Sequence, residues 1–401
     1  MADKLPTISE ARRIVLESVG GPLGTERVAV DRAVGRVLAE DVLAQGDVPP
    51  FASSAMDGYA VNPGPTARRL RVIGESRAGS PFAGTVVGDQ AVRISTGAAV
   101  PPGASAVIRQ EDVLAGDDAI ETLADVAAGE NVRAAGGDLR SGALVAGAGL
   151  VVSPNALGVV IGAGVATVTV AQRPRVGVLC TGDELRAPGG QLGPGEIHNS
   201  NGAMLTALAT RCGAVTDPVV SVPDDREAIE NALEAALRRC DVLVLTGGVS
   251  VGPHDHVRPA LERIGVRQQL WGIALQPGKP TYFGSRGAQL VFGLPGNPVS
   301  AVVTFTLFAR PALGALQGSR PQAEEPPTAV LAERVMRRAD RERAVCVSLT
   351  LSSQATVATP TGVQESHLLS SLQGADALAI VPAGEGELPA GSAVELEPLI
   401  G

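Results

Sequence analysis

Hydrophobic and polar positions follow different periods in different parts of the chain, and the period changes at a few definite places. The first segment, "TISEARRIVLESV", spaces its apolar residues along one helical face, and Thr7 and Glu10 stand three residues apart as a capping box. This pattern predicts an amphipathic helix that ends at Gly20 and Gly21.

Residues 60–135 carry short apolar runs separated by turn residues, as in "RLRVIGESRAG" and "AIETLADV". Short strands at such spacing are typical of a small β domain or barrel. The stretch that follows, up to about residue 171, indicates a turn, a strand, a short helix capped at Ser153 or Asn155, and another strand.

The pattern changes again after Arg173 and Pro174. Three apolar runs, "RVGVLCTGDEL", "DVLVLTGGVSVGPHD" and "QLVFGLPGNPVS", each end in a glycine-containing loop, and segments of helical periodicity separate them. Strand, loop and helix in repeated order predict a mostly parallel, doubly wound α/β sheet. A proline-rich linker follows, and strands dominate again from about residue 330, which predicts a C-terminal β domain.

Composition limits the classes of protein to which the chain can belong. With 401 residues, of which 45% are hydrophobic and 19% charged, the chain can form about two to four folded domains. A formal charge of −9 argues against a nucleic-acid partner. The apolar run over residues 156–171 is shorter than the ~20 residues that span a bilayer, and the N-terminus lacks the apolar stretch of a secretion signal. We therefore expect no membrane partner and a cytoplasmic location.

The cysteines do not have metal-ligand spacing. They stand far apart in apolar surroundings, which predicts buried, reduced thiols rather than a zinc or iron–sulfur site, at Cys180, Cys212, Cys240 and Cys346.

Three polar, glycine-rich loops follow the predicted parallel strands. Their candidate residues are Thr181, Gly182, Asp183 and Glu184 in the first loop, Gly247, Gly248 and Ser250 in the second, and Pro295, Asn297 and Ser300 in the third. Glycines expose backbone N–H groups and a helix N-terminus favours an anion, so these loops predict a phosphate-bearing ligand. Asp183 and Glu184 would hold Mg²⁺ next to that phosphate. The alternative is that all three are ordinary turns between strands and helices.

Two further segments leave alternatives open. His254, Asp255 and His256 are adjacent, but no third ligand accompanies the histidines, so a helix cap formed by Asp255 is favoured over metal chelation by the histidines. Lys279 lies in a Pro-Gly turn, where its ammonium group would reach an oxyanion, and the alternative is an ordinary surface lysine.

The segment "VPPFASSAMDGYAV" stands out in a chain with only two tyrosines. Pro49 and Pro50 hold the backbone extended. Gly58 would then let a tight turn present the carboxylate of Asp57, whereas the alternative is that Asp57 only caps a β-turn.

The motifs "SSAMDGYAV", "RISTGAAVPPGASAVI", "TGDEL", "GGVSVGPHD", "QPGKP", "GLPGNPVSA" and "ESHLLSSL" occur in an order that resembles the MoeA family of molybdopterin molybdenumtransferases, which includes the E domain of gephyrin. The resemblance runs from about Ile8 to the C-terminus. It implies a discontinuous first domain (residues 1–45 and 138–172), an inserted β-rich domain (46–137), a molybdopterin-binding, MogA-like α/β domain (173–318) and a C-terminal β-barrel-like domain (319–401).

The resemblance also implies a reaction and an assembly. The family inserts molybdate into adenylylated molybdopterin, with Mg²⁺-dependent hydrolysis of the adenylate and release of AMP. The subunit is expected to form a homodimer whose cleft combines both chains, and an upstream molybdopterin adenylyltransferase is a candidate partner. Tungstate in place of molybdate would leave no mark on the sequence.

Position by position, the resemblance assigns roles to polar residues. Asp57, Asp138, Glu184 and Asp255 would be catalytic carboxylates, and Mg²⁺ would bind to Asp57, Glu184 and Asp255. Lys279 and Ser366 would contact molybdate or phosphate oxygens, and Thr96 would line the cleft.

The chain departs from the family pattern at three places. Ala52 and Ser53 replace an Asp-Asn pair, Gln276 replaces a lysine, and Cys346 stands where an arginine is usual. The two lost cations favour an alternative function, a gephyrin-like scaffold that binds a protein partner, whereas the retained carboxylates favour the enzyme. Arg341 or Arg343 would be the substitute cation.

Overall fold

The computed structural model describes residues 4–248, 256–320, 325–353 and 355–399. The α-helices in these ranges are α1 (Ile8–Glu17), α2 (Pro154–Gly162), α3 (Ser200–Arg211), α4 (Arg226–Leu237), α5 (Val257–Arg263), α6 (Pro298–Thr304) and α7 (Arg310–Leu316). A π-helical stretch, Phe305–Ala309, joins α6 to α7, and short 3-10 helices lie at Val30–Arg32, Gln110–Asp112 and Leu369–Leu372.

The strands fall into three groups along the chain. The first group is β1 (Thr25–Ala29), β2 (Val42–Leu43), β3 (Ser53–Ser54), β4 (Gly58–Val61), β5 (Arg69–Ser76), β6 (Gln90–Ile94), β7 (Ala106–Arg109), β8 (Val113–Ala115), β9 (Ala119–Thr122), β10 (Val132–Arg133), β11 (Leu144–Ala146) and β12 (Thr167–Ala171). The second is β13 (Arg175–Thr181), β14 (Leu185–Arg186), β15 (Ile197–His198), β16 (Val215–Thr216), β17 (Val220–Val222), β18 (Val242–Thr246), β19 (Arg267–Trp271), β20 (Leu275–Gln276), β21 (Tyr282–Arg286) and β22 (Gln289–Leu294). The third is β23 (Thr328–Leu331), β24 (Val335–Met336), β25 (Glu342–Leu351), β26 (Thr356–Pro360), β27 (Ala377–Val381), β28 (Glu387–Leu388) and β29 (Ala393–Pro398).

Two compact units make up the chain. Unit 1 comprises Met1–Glu26, Gly35–Ala39 and Val170–Gly401, and unit 2 comprises Arg27–Val34 and Glu40–Thr169. The finer division into four domains stays a prediction.

Unit 1 contains the predicted doubly wound sheet. Its strand order is β16-β13-β18-β22-β21-β19, with β17 also paired to β13. The pairs β13–β18 and β18–β22 are parallel, whereas β21 and β19 form an antiparallel edge. The prediction of a mostly parallel α/β sheet is therefore confirmed. Strands β13, β18 and β22 are almost wholly buried because helices cover both faces of the sheet.

Unit 1 also contains a closed five-stranded barrel in the C-terminal region. The strands follow the order β25-β26-β23-β29-β27, and β27 pairs again with β25 to close the ring. The short strand β20 adds to β25 in parallel, which fixes the "QPGK" segment beside the start of β25. The predicted C-terminal β-barrel-like domain is thus confirmed.

Helix α1 begins as its sequence predicts. The Thr7 hydroxyl accepts a hydrogen bond from the Glu10 N–H, and the Glu10 carboxylate accepts one from the Thr7 N–H. The helix ends earlier than predicted, at Glu17 with Ser18 as its C-cap. Its apolar face, with Ile8, Ala11 and Val15 buried, packs in the same core as the α/β sheet.

The longest apolar helix of unit 1 belongs to the core. Residues Pro298–Leu316 have a mean hydropathy of 1.6 and enough length to cross a membrane, but 78% of the most apolar window is buried inside the protein. Such burial is what the central helix of a packed core shows. Pro298 stands at the first turn of α6, where a missing N–H costs nothing.

Unit 2 contains a six-stranded sheet in the order β7-β4-β6-β5-β9-β8. Apolar clusters cover both of its faces, one around Val61 and Ile108 and the other around Val92 and Ile94. The predicted small β domain is therefore present. Helix α2 is also in unit 2, and the Ser153 hydroxyl, rather than Asn155, provides its N-cap by accepting from the Ala156 N–H at 3.1 Å.

Candidate active site

The carboxyl ends of three parallel strands in unit 1 lie side by side. Thr181 ends β13, Thr246 ends β18 and Leu294 ends β22, and Thr246 pairs in register with both Cys180 and Leu294. Because parallel strands end at the same edge of a sheet, the three loops predicted from the sequence come together there.

A buried hydrogen-bond network ties two of these loops to α3. The Asn201 side-chain amide donates to the Thr246 hydroxyl at 3.0 Å and to the Gly296 carbonyl at 2.7 Å. The Thr246 hydroxyl donates to the Pro295 carbonyl at 3.1 Å. Asn201 was not predicted from the sequence. The asparagine in the first turn of α3 ("HNSNG") is a usable signal, because a buried asparagine there needs hydrogen-bond partners.

The second loop contains two glycines because its backbone lies very close to Thr181 and Val257. A Cβ on Gly247 would lie 2.4 Å from the Thr181 carbonyl oxygen and 2.8 Å from its hydroxyl, and a Cβ on Gly248 would lie 2.6 Å from Val257. Both glycines have positive φ, 90° and 62°. Only glycine satisfies both conditions, so the loop is built to lie against the end of β13.

Two polar atoms beneath this loop have no partner in the described residues. They are the hydroxyl oxygen of Thr181, whose residue is 5% exposed, and the side-chain carbonyl oxygen of Asn201, whose residue is 9% exposed. A buried polar atom without a hydrogen bond is costly, about 1–3 kcal/mol. Such atoms indicate a place where a ligand or a water molecule completes the network.

Glu184 lies at the same edge of the sheet. Its carboxylate lies over Gly182, where a Cβ would approach it to 2.4 Å, and its side chain is exposed. No donor within the described residues hydrogen-bonds to this carboxylate. Asp183 differs, because it accepts from the Asp224 N–H at 3.1 Å and so orders the neighbouring loop. Glu184 is therefore the carboxylate that remains available for a cation.

A cleft of about 460 Å³ in unit 1 contains the other predicted binding residues. Its lining includes Lys279, Pro295, Asn297, Ser300 and Ser366. The Asn297 amide donates to the Ser366 hydroxyl at 2.8 Å, and the Val299 N–H donates to the Ser366 carbonyl at 3.2 Å. Because Pro295 also accepts from Thr246, this wall of the cleft is continuous with the edge of the sheet.

Cations dominate the charged groups of the cleft. Lys279, Arg338, Arg341 and Arg343 line it together with two acids, Asp340 and Glu365. Asp340 is bonded to Arg341, which lowers the pKa of the carboxyl and raises that of the guanidinium. Burial, and then repulsion by Arg338, lower the pKa of Arg343.

The cleft contains one more cation than the sequence predicted. Arg338, which the sequence analysis missed, donates from Nε to the Gln276 side-chain oxygen at 3.0 Å. Gln276 is thus paired with a cation that lies in the cleft. Arg341 and Arg343 line the cleft too, as predicted for substitutes.

Cys346 does not line the cleft. Its side chain is 0% exposed in the apolar core, and burial raises the pKa of the thiol to about 11. Gln364 connects the backbone of Cys346 to the cleft. Its side chain accepts from the Cys346 N–H at 2.8 Å and donates to the Cys346 carbonyl at 3.2 Å. Gln364 itself lines the cleft. Cys240 and Cys180 are buried as predicted, and Cys212 is half-buried.

Unit 2 places Asp57 and Thr96 together. One carboxylate oxygen of Asp57 accepts from the Thr96 N–H at 2.7 Å and from its hydroxyl at 3.0 Å. These two donors hold the pKa of Asp57 below its usual value. The Asp57 side chain is therefore oriented by a residue of a different loop and does not cap its own turn.

Gly58 has another role than the predicted tight turn. It begins β4, has no positive φ, and a Cβ there would lie 1.9 Å from the Ile108 carbonyl oxygen of β7. The glycine is required because β4 and β7 pair closely at this point. The reason could not be read from the local sequence, since Ile108 is 50 residues away.

Asp138 is exposed, and its contribution to the local structure is a backbone hydrogen bond from its N–H to the Val48 carbonyl at 2.9 Å. Asp47 orders this turn instead: its carboxylate accepts from the Ser141 N–H at 2.9 Å and lies against Gly136. Asp47 was missed because nothing in its sequence neighbourhood marks it.

Two predicted residues, Ser250 and Asp255, lie outside the described residues, as does His254. The N-cap of α5 is His256, without a side-chain cap bond, and the helix cap predicted at Asp255 lies outside the described residues. Within the described ranges no group of three His, Cys, Asp or Glu side chains is arranged to hold a metal ion. The metal set of Asp57, Glu184 and Asp255 stays a prediction.

Family models match three parts of this chain. Residues 6–164 match the MoeA N-terminal region (domains I and II), residues 177–315 match a "probable molybdopterin binding domain", and residues 328–399 match the MoeA C-terminal region (domain IV).

Relatives of known name match along the whole chain. Molybdopterin molybdenumtransferase of Haemophilus influenzae is 34% identical over 98% of this chain and 98% of its own length. The protein of the same name from Staphylococcus aureus (strain Mu50) is 30% identical over 98% and 95%. A crystal structure of the molybdopterin biosynthesis MoeA protein from Pyrococcus horikosii is 31% identical, covers 99% of this chain and 100% of that one, and has a TM-score of 0.81.

Fold and matches together define a multidomain transferase with a molybdopterin-binding α/β domain, active in molybdenum cofactor biosynthesis. The chain belongs to the MoeA family of molybdopterin molybdenumtransferases.

Proposed function

We propose that the chain inserts molybdate into adenylylated molybdopterin, with Mg²⁺-dependent hydrolysis of the adenylate and release of AMP. The observation that carries this proposal is the arrangement of unit 1, where a cationic cleft adjoins a glycine-rich sheet edge through Pro295 and Asn297. The edge offers close backbone approach, and the cleft offers positive charge. An anionic pterin and an oxyanion need these two features next to each other.

The sheet edge is proposed to bind the pterin substrate. Gly247 and Gly248 allow the backbone to approach it, and the unpartnered oxygens of Thr181 and Asn201 would complete their hydrogen bonds with it. Gly182 belongs to the same edge, Ser300 lines the adjoining cleft, and Ser250 is assigned to the pterin site from the resemblance.

The cleft is proposed to bind molybdate, the second substrate. Lys279 is exposed and lines the same cleft as the hydrogen-bonded pair Asn297 and Ser366. An ammonium and a hydroxyl are both donors for the oxygens of a tetrahedral oxyanion. These two residues would hold molybdate without a proton transfer.

Glu184 fits the needs of Mg²⁺. The ion is usually bound by one or two carboxylates together with substrate phosphates. Glu184 is an exposed carboxylate at the sheet edge, and no donor in the described part of the chain hydrogen-bonds to it. When bound, Mg²⁺ would neutralise phosphate charge and polarise the phosphoanhydride. Asp255 is proposed to share this role, and Asp138 to be a further catalytic acid.

A homodimer is proposed to complete the site with Asp57 and Thr96 of the second subunit. Helix α2 of unit 2 supports the assembly: it is rich in apolar residues, yet Val159 and Ile161 are 48% and 50% exposed. Leu144 and Leu150 add exposed apolar side chains in the same unit. Exposed apolar residues on a helix are typical of a surface that another protein covers, and a second copy is the proposed occupant.

The location is proposed to be cytoplasmic, where an upstream molybdopterin adenylyltransferase would supply the adenylylated substrate. The scaffold alternative loses its main argument, because the cleft holds four cations despite Gln276 and Cys346.

The test is turnover by the purified protein. Adenylylated molybdopterin, molybdate and Mg²⁺ are supplied, and AMP release and cofactor formation are followed. We expect AMP release that depends on both molybdate and Mg²⁺, and strong loss in Asp57→Ala and Glu184→Ala. No AMP release by the parent protein would contradict the proposal and favour the scaffold. Full activity in both variants would overturn the assigned site.

A further inference from the structure

The four cations of the cleft are not equally available to a ligand. Arg341 is bonded through its Nε to the Asp340 carboxylate at 2.9 Å, and a second nitrogen of the same guanidinium bonds the other oxygen. Arg343 donates to the backbone carbonyl of Met336. Arg341 is therefore compensated by a carboxylate, and Arg343 is committed to the backbone.

Arg338 is held differently. Its Nε donates to the side-chain oxygen of Gln276, and no acceptor among the described residues hydrogen-bonds to its two terminal nitrogens. A guanidinium has donors only, so the Gln276 atom that faces it must be the oxygen. Gln276 thus fixes the arginine in place without cancelling its charge.

The pairing of two strands creates this contact. Strand β20 runs parallel to β25, with Gln276 opposite Arg343, and Arg338 lies in the segment that leads into β25. The turn that carries Lys279 follows directly after Gln276. Arg338 and Lys279 consequently line the same cleft from two segments that are far apart in the sequence.

We infer that Arg338, oriented by Gln276, is a molybdate-binding residue of this chain and takes over the role of a cation at position 276. A planar guanidinium presents two parallel donors to an oxyanion, whereas an ammonium acts as a point charge. A lysine at position 276 would place a second cation next to Arg338 and repel it. The residue at position 276 therefore determines whether an arginine fits at position 338. This inference rests on the proposed function, since it names the cation that holds its second substrate.

The experiment measures molybdate directly, by equilibrium dialysis of sodium molybdate against the full chain, together with the KM for molybdate in AMP release. The variants are Arg338→Ala, Arg338→Lys, and Arg338→Ala combined with Gln276→Lys. Arg334→Gln is the matched control, because Arg334 belongs to the same barrel region but is 75% exposed and paired with Glu387.

We expect Arg338→Ala to raise the Kd and the KM for molybdate on the order of tenfold to a hundredfold, the loss typical of a charged hydrogen bond. kcat at saturating molybdate should change less than about twofold, since the residue binds substrate and does not take part in bond breaking. The Kd of Arg338→Lys for molybdate should lie between those of the parent and of Arg338→Ala. Adding Gln276→Lys to Arg338→Ala should recover most of the affinity for molybdate. Arg334→Gln should match the parent.

An unchanged Kd for molybdate in folded Arg338→Ala would overturn the inference, and so would failure of Gln276→Lys to recover any affinity. Arg338→Lys keeps the aliphatic stem and serves as the readout if the alanine variant unfolds. A parent protein that binds molybdate weakly and releases no AMP would instead refute the proposed function, so the two failures are distinguishable.

Discussion

Two regions of the molecule hold side chains of opposite charge in the same way. In unit 2, Asp57 is an exposed anion held by two donors of the uncharged residue Thr96. In unit 1, the cleft holds cations, of which Arg338 is fixed by the uncharged acceptor Gln276. In both regions a neutral partner orients a charge without neutralising it.

This difference in sign matters for the proposed reaction of an adenylylated pterin with molybdate. The proposed substrates are anionic, which suits the cationic cleft, whereas the proposed hydrolysis of the adenylate would need carboxylates and a cation as well. Glu184, an exposed carboxylate with no cationic partner among the described residues, is proposed to supply that need. Variants that change one charge or one contact at a time separate the contributions of the two regions.

The largest effect is expected from Glu184→Gln, which removes the charge and keeps the shape. AMP release should fall about 10²- to 10⁴-fold, because the amide is a poor ligand for Mg²⁺ and a poor base. Glu227→Gln, an exposed carboxylate of the same α/β domain, is the control. Equal activity in the two variants would remove Glu184 from the site.

Gly58→Ala should destabilise the protein by about 2–4 kcal/mol, because the new methyl group would overlap the Ile108 carbonyl and force β4 away from β7. Chemical denaturation measures this change in the free energy of unfolding. Gly46→Ala is the control, since a Cβ at Gly46 has no neighbour within 4 Å. Similar stability of both variants would show that β4 and β7 are less closely paired.

Lys279→Ala should raise the KM for molybdate roughly tenfold, because one charged donor is lost from the cleft. The chain has only one other lysine, Lys4, so Lys4→Ala is a matched control. Amine-selective labelling followed by mass spectrometry gives a second readout: molybdate should protect Lys279 and leave Lys4 reactive. Equal protection of the two lysines would contradict the assignment.

Thr181→Val should leave the protein as stable as the parent or more stable by about 1 kcal/mol, because a buried hydroxyl that has no partner among the described residues is replaced by a methyl group of the same shape. The KM for the pterin substrate should rise at the same time. A large loss of stability would show that the hydroxyl already has a partner.

The smallest effect concerns pH. The Thr96 N–H and, second to it, the Thr96 hydroxyl lower the pKa of Asp57, so the carboxylate stays charged to a lower pH than usual. Thr96→Ala removes the hydroxyl only and should raise the pKa of Asp57 part of the way. The acid limb of kcat/KM should then move to higher pH, and Ser95→Ala should leave it in place. A shift to lower pH would contradict this account.

Local patterns predicted most of the fold. The capping box at Thr7, the buried parallel strands and the loops after them depend on residues that are near one another in sequence, and the structure has them as predicted. Thr181, Gly247 and Gly248 were found by the same reasoning, because a strand that ends in a glycine-rich loop is a local signal.

What the sequence could not provide depends on contacts between distant segments. Arg338 meets Gln276 across 62 positions because β20 pairs with β25. Asn201 reaches Gly296 across 95 positions. The requirement for glycine at position 58 comes from Ile108 on a neighbouring strand. The packing of elements that are far apart in sequence decides all three: strand pairing for Gly58 and Gln276, and the position of α3 at the sheet edge for Asn201. A single sequence does not encode such pairing in any local pattern.

We propose that acids of one subunit and the glycine-rich edge of the other form one site, and mixed dimers distinguish this arrangement from a site within one chain. Asp57→Ala and Glu184→Ala chains, each inactive alone, are differently tagged, mixed and purified as the heterodimer. If Asp57 acts on the Glu184 site of the partner subunit, the heterodimer has one intact site, and AMP release should return to about half of the parent rate per dimer. AMP release as low as that of either homodimer would contradict the claim.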